Sequence, residues 1–247
     1  KVHSYLRALR KNNNQVGKIP RAITLNYNNV CNFKCDFCFS AEKDNKHLKD
    51  CLSFEEIRSI ADQADELGIW EIVLTGGELL CNKQKLFELM EAFDTSRFQM
   101  ILISNGYLMT KETAKELAER GLDCVGISLS GMDAEEHNKS RGGIKDAHQR
   151  ALQALDNVAE TGMAAWPNLI FGHHNSKDPD LYAALDYAKS KNYTTYLMMA
   201  MPFGVWKNNR MNAEDFQILN KIRKDYDVCF DTWDMYDRNK EKRTGCW

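Results

Sequence analysis

The sequence predicts an α/β fold, a partial (β/α)6 TIM-like barrel of parallel strands. Three observations carry that prediction. Short apolar runs alternate with amphipathic helical stretches about six times along the chain. Single helices between strands force parallel pairing with right-handed crossovers. The length of 247 residues, 43% hydrophobic and 28% charged, suits one globular core. An open doubly wound sheet fits the same alternation. In either arrangement, functional loops follow the C-terminal ends of the strands.

The elements follow in order. Residues 1–19 carry Arg7, Arg10, Lys11 and Lys18 and read as a solvated N-terminal helical segment. The barrel is expected over residues 20–225. Ala22–Tyr27 is the first strand, and a cysteine-bearing loop follows it. Ser53 and Glu56 form a capping-box pattern ahead of Phe54, Ile57, Ile60, Ala61, Ala64 and Leu67 at helical spacing, and Gly68 marks the stop. Then come strand 69–75, helix 83–93 opened by Asn82, strand 98–104, and helix 111–120 between Thr110 and Gly121. Strand 122–129 and helix 144–160 come next. Strand 166–171, helix 180–191, strand 193–201 and helix 213–224 complete the pattern. Residues 226–247 read as the start of a C-terminal extension, and the chain, opening at Lys1 and stopping at Trp247, is expected to lack its natural ends.

Bulk properties exclude several classes. A net charge of −2 gives no electrostatic reason to expect nucleic acid. No run of about 18 apolar residues is present, so no membrane span is expected. Eight cysteines in a chain this long read as reduced thiols of a cytoplasmic enzyme, not as a disulfide framework. Cys51, Cys81, Cys124 and Cys229 lack motif spacing and are expected to be buried structural thiols.

The chemistry-bearing residues fall on one predicted rim. Cys31, Cys35 and Cys38 lie within eight residues after the first strand. Three thiolates leave one iron of a four-iron cluster open, and an open position is what substrate coordination needs. Zinc is the rival, with His47 and Cys51 as poorly spaced fourth ligands. Phe37 and Phe33 are placed to shield such a cluster, although Phe33 is equally well explained as packing under the loop. Gly76-Gly77-Glu78 follows the second strand, Ser104-Asn105-Gly106 ends the third, and Ser128-Leu129-Ser130-Gly131 ends the fourth. Gly76 and Gly77 allow backbone to approach a ligand closely. His173 and His174 follow the fifth strand, and Asp231 and Asp234 are candidate general bases for a dehydrogenation.

The C-x3-C-x2-C spacing with Phe37 before its last cysteine, together with Thr75-Gly76-Gly77-Glu78, resembles the radical S-adenosylmethionine (SAM) superfamily over roughly residues 20–225. That resemblance implies a 4Fe–4S cluster on Cys31, Cys35 and Cys38 that cleaves SAM to a 5′-deoxyadenosyl radical, with Phe37 shaping an adenine surface. It implies SAM amino-group contacts at Gly76, Gly77 and Glu78, although Leu79 stands where the family usually has proline. Ser104 and Asn105 correspond to the segment beside the ribose. Ser128 and Arg141 match carboxylate contacts of the peptide- and protein-modifying branch, which usually has Asp at the positions of Ser130 and Asn138. A surface arginine is the plain alternative for Arg141. Gly245-Cys246-Trp247 resembles the entry to an auxiliary-cluster (SPASM- or twitch-type) extension, with Cys246 as a ligand.

The resemblance thus implies a peptide or protein substrate undergoing cross-linking, oxidation or epimerisation. It also implies a low-potential electron donor such as a flavodoxin or ferredoxin. A small-molecule dehydrogenase or cofactor-biosynthesis enzyme on the same core is the alternative, and a non-catalytic iron–sulfur or zinc module is the rival outside enzymes.

Overall fold

The computed structural model describes residues 20–38, 51–200 and 204–229, together with Leu6 and Arg10, both helical. The rest of the expected N-terminal helix and residues 230–247 of the expected extension lie outside the described residues, as do His47, Asp231, Asp234 and Cys246.

Seven strands form one sheet, all parallel, in strict chain order: β1 (Ala22–Asn26), β2 (Glu71–Thr75), β3 (Gln99–Ser104), β4 (Cys124–Ser128), β5 (Ala164–Phe171), β6 (Thr195–Met199) and β7 (Val228–Cys229). The helices between them are α1 (Phe54–Leu67), α2 (Lys83–Phe93), α3 (Lys111–Glu119), α4 (Ala134–Ser140), α5 (Ala147–Ala159), α6 (Pro179–Ser190) and α7 (Ala213–Asp225). Sequential order with crossovers of one hand puts every helix on the same face of the sheet, so the sheet curls into a partial barrel. The doubly wound alternative needs a reversal of strand order, and there is none among the described strands.

Local chemistry sets the helix ends as the sequence predicts. Ser53 caps α1 in a complete capping box with Glu56, and Gly68 closes the helix at φ 83°. Asn82 caps α2 and Thr110 caps α3. Such a cap contributes about 1 kcal/mol.

Three elements depart from expectation. A 3-10 turn, Leu79–Asn82, precedes α2, with the Glu78 side chain accepting from the Leu80 N–H as its cap. Helix α4 replaces an expected loop, and β7 adds a seventh strand to the six expected, extending the sheet past residue 225.

Burial divides the strands by face. Ile72, Leu74, Met100, Leu102, Val125, Ile127, Leu169, Phe171 and Leu197 are buried under the helices at 0–1% exposure. The alternate residues line the inner face. Asn26, Thr75, Ile103, Gly126 and Trp166 share one level, Ser128, Asn168 and Tyr196 the next, and Ile170 and Met198 the top.

Candidate active site

The cysteine loop leaves β1 and is pinned by the end of β2. Tyr27 N–H donates to Thr75 O at 3.1 Å, Gly77 N–H to Asn28 O at 2.6 Å, and Glu78 N–H to Val30 O at 2.7 Å. The two glycines make this approach possible. A Cβ on Gly76 would meet Asn28 O, and a Cβ on Gly77 would collide with Val30 O. The close approach expected toward a ligand is thus made, in this structure, toward the cysteine loop itself.

Glu78 is fully buried. Its carboxylate accepts from Ser104 Oγ at 3.0 Å, Asn105 N–H at 2.7 Å and Leu80 N–H at 3.1 Å. Burial pushes its pKa up, and these donors oppose the shift. The side chain therefore ties the end of β2 to the end of β3. Asn105 extends the tie to the loop, donating from Nδ2 to Asn32 Oδ1 at 2.8 Å. Phe33 is buried and meets Tyr107 edge-on at 5.5 Å, so packing under the loop is its observed role.

Across the loop, the N–H of Asp36 donates to Ser140 O at the end of α4 at 3.2 Å. That contact brings in Arg141, which is 6% exposed and so is no surface arginine. Its Nε donates to Ser130 Oγ at 3.2 Å, and its guanidinium lies 5.0 Å over the Phe37 ring. Ser130 thus accepts from this buried cation through a neutral oxygen. Burial draws the Arg141 pKa down, while Cys35, Cys38 and Cys31 hold it up, Cys35 also through a hydrogen bond. One buried cation therefore faces all three loop thiols.

The thiolate form of Cys31 and Cys35 is disfavoured without a partner. Burial, with Glu78, Cys35 and Cys81 nearby, pushes Cys31 up to about 11. Burial also raises Cys35, and Arg141 partly offsets this. A bound metal centre reverses that logic, because a coordinated thiol is deprotonated outright. Among the described residues, no three of His, Cys, Asp and Glu converge on the position of a single metal ion. Three soft thiol donors on one short loop, with a compensating cation beside them, fit an iron–sulfur cluster, whose thiolates each bind a different iron.

Of the other predicted residues, Ser104 is buried at the β3 end, and Ser128 stands half-buried on the inner face. His173 turns toward the start of α7, where Nδ1 lies 2.8 Å from Asp215 Oδ2. Asp215 is buried, accepts from Ser176 Oγ at 2.6 Å and from Asn212 N–H at 2.8 Å, and so completes the capping box with Asn212, the N-cap of α7. This arrangement accounts for His173 as an anchor of α7. Cys124 is buried as expected, but Cys81 and Cys229 are exposed and Cys51 is half-buried, because their positions lie on a turn, an edge strand and a helix approach.

Trp206 went unrecognised in the sequence. Its ring stacks on Phe37 at 5.3 Å and on His174 at 5.7 Å, with angles of 20° and 22°. A lone tryptophan in a polar loop carries no spacing signal. Asn32 and Tyr107 joined the site the same way, through contacts between loops distant in sequence.

The family model described as the radical SAM superfamily matches residues 25–188. Among curated proteins, the chain is similar to Fe-coproporphyrin III synthase of Methanosarcina barkeri, at 32% identity over 68% of this chain and 41% of that one. It is also similar to GTP 3′,8-cyclase of Campylobacter jejuni, at 30% identity over 72% of this chain and 55% of that one. The chain thus spans about half the length of these relatives. Among solved structures, Streptococcus suis SuiB bound to its precursor peptide SuiA shares the fold, with a TM-score of 0.70 at 16% identity over 97% of this chain and 54% of that one.

Proposed function

Because the chain belongs to the radical SAM superfamily, we propose that it is a radical enzyme of cofactor or other small-molecule biosynthesis, with its cluster on Cys31, Cys35 and Cys38. Membership implies a 4Fe–4S cluster and SAM. When bound, the cluster supplies the electron that cleaves SAM and so generates the hydrogen-abstracting radical.

The observation that carries this reading is the buried Arg141 guanidinium, set against Phe37 and within electrostatic reach of all three thiols. The chain's own residues then divide the work. The three thiols bind the cluster. Arg141 compensates negative charge and is suited to a carboxylate. Phe33 packs on Tyr107 beneath the loop, and Phe37 stacks on Trp206 beside it. Gly76, Gly77 and Glu78 hold the loop against β2 and β3.

The small-molecule choice is supported by the names of the relatives, Fe-coproporphyrin III synthase and GTP 3′,8-cyclase. The likeness to SuiB, at 16% identity, supports the fold alone. On this reading the electron donor is a low-potential flavodoxin or ferredoxin. An auxiliary cluster involving Cys246 remains a further proposal for the full-length protein.

The test is an anaerobic reconstitution of the full-length protein with a chemical reductant, assayed for 5′-deoxyadenosine. Iron coproporphyrin III, GTP and ribosomally made peptides are supplied in turn. Stimulation by a small molecule is expected. Stimulation by peptides alone would replace this reading with peptide modification.

A further inference from the structure

The cysteine loop follows β1, which is an edge of the sheet, and β2, β3 and β4 stand between it and β5. Hydrogen bonds within the sheet therefore do not set how this loop lies against the loops after β5 and β6. Ring contacts do. The Phe37 ring, beside Cys38, stacks on Trp206 at 5.3 Å and 20°, and Trp206 stacks on His174 at 5.7 Å and 22°. At the other end, the Arg141 guanidinium lies 5.0 Å over Phe37. Arg141, Phe37, Trp206 and His174 thus form one run of planar groups drawn from four separate segments.

The His174 end of the run is anchored. Trp206 closes a 3-10 turn, Gly204–Trp206, and its carbonyl oxygen accepts from Asn209 N–H at 2.8 Å. Asn209 is buried, and its Nδ2 donates to His174 Nδ1. Gly172 leaves room for this pair, since a Cβ there would meet Ala200 Cβ at 2.8 Å and both Asn209 Nδ2 and His174 Nδ1 at 2.9 Å. Trp206 is half-buried while Val205 beside it is 62% exposed, so the turn directs its indole to the stack.

The Arg141 end depends on the rings. Arg141 Nε has a neutral acceptor in Ser130 Oγ, and its guanidinium rests against Phe37. Phe37 is itself half-buried on a loop, with Trp206 against its ring. Without the indole, Phe37 is free to take other rotamers, and the guanidinium loses its platform.

We propose that Trp206 is a positioning residue for the radical chemistry: acting through Phe37, it holds the Arg141 guanidinium beside the three thiols and so sets the affinity for SAM. The proposal rests on the radical SAM reading above and adds to it a residue on the loop after β6.

The experiment is a double-mutant cycle on the full-length reconstituted protein, read by calorimetric titration of SAM, with iron per chain and denaturant unfolding measured beside it. Trp206→Leu should weaken SAM binding about three- to tenfold while iron content and unfolding midpoint stay at wild type. Trp206→Phe, which keeps a stacking ring, should recover most of the loss. Trp206→Leu/Arg141→Ala should bind SAM no more weakly than Arg141→Ala alone, because both changes remove the same interaction. Wild-type affinity in Trp206→Leu, equal losses in the Leu and Phe variants, or losses that multiply in the double variant overturn the proposal. Iron lost from Trp206→Leu also overturns it, since the ring would then serve the folding of the loop. If these outcomes arise while the wild type binds SAM, the functional reading stands without Trp206. A wild type that holds its cluster and binds no SAM sinks both.

Discussion

Gly77 lies so close to Val30 that the Val30 carbonyl oxygen occupies the place of a Gly77 Cβ. The glycine turn and the cysteine loop are therefore one packed unit, and damage to one reaches the other. Gly77→Ala should lower the iron and sulfide retained after reconstitution by about half or more, since the added atom must push the loop away from β2. Iron and sulfide assays beside a circular dichroism spectrum check this. Full cluster content with weakened SAM binding would restore the simpler view that Gly77 serves only the ligand.

Replacing Cys31, Cys35 and Cys38 together with Ala should abolish the cluster, because thiolates anchor it. The measurement is iron per chain after anaerobic reconstitution and desalting. Cys81→Ser, at an exposed turn position beside Cys31, should leave iron content unchanged.

Arg141→Ala should weaken SAM binding by about 1.5–3 kcal/mol, the loss expected for a charged hydrogen bond. Arg141→Lys should recover little of it. An ammonium lacks the planar guanidinium that lies over Phe37 while its Nε reaches Ser130. Calorimetric titration of SAM into the reconstituted variants reads both. An affinity equal to wild type in Arg141→Ala would show that the cation serves the loop alone.

His137 gives a pH prediction. It is 1% exposed, and its Nδ1 accepts from the Ser130 N–H at 3.1 Å. Burial, with Arg141 and His148 nearby, pushes its pKa down to about 3 from 6.5. The unfolded chain then binds a proton that the folded chain refuses. Its stabilising contribution is complete above pH 6.5 and declines as pH falls toward 3, by about 1.4 kcal/mol per pH unit at most. Denaturant unfolding at pH 7.5 and 5.0 should show this loss. His137→Asn, which keeps an acceptor near the Nδ1 position without titrating, should flatten it.

Much of the framework was legible because its signals are local. Ser53 with Glu56, Asn82, Thr110 and Gly68 mark helix ends through hydrogen bonds to residues a few positions away, and each does so in the structure. Helix α4 was missed because its seven residues are nearly all polar and only His137 is buried, which leaves no apolar stripe to read. The signal that was present, Asp133 capping the Glu135 and Glu136 N–H groups, marks a helix start without a periodic run behind it. Strand β7 is two residues long and exists only through pairing with β6. The cysteine triad stood out in the sequence through its close spacing together with Gly76-Gly77-Glu78. The contacts that complete its surroundings, Arg141 to Phe37, Asn105 to Asn32 and Trp206 to Phe37, join loops far apart in sequence.

The sequential strand order also bears on how the protein is made. Each strand pairs with the one synthesised just before it, so a chain leaving the ribosome meets every partner in turn, without waiting for a distant segment. The cysteine loop lies between β1 and β2 and is pinned by both, so its backbone shape can form once about a third of the chain has emerged. Arg141 emerges later, with α4. Nascent chains that stop short of residue 141 therefore carry the three thiols without their compensating cation.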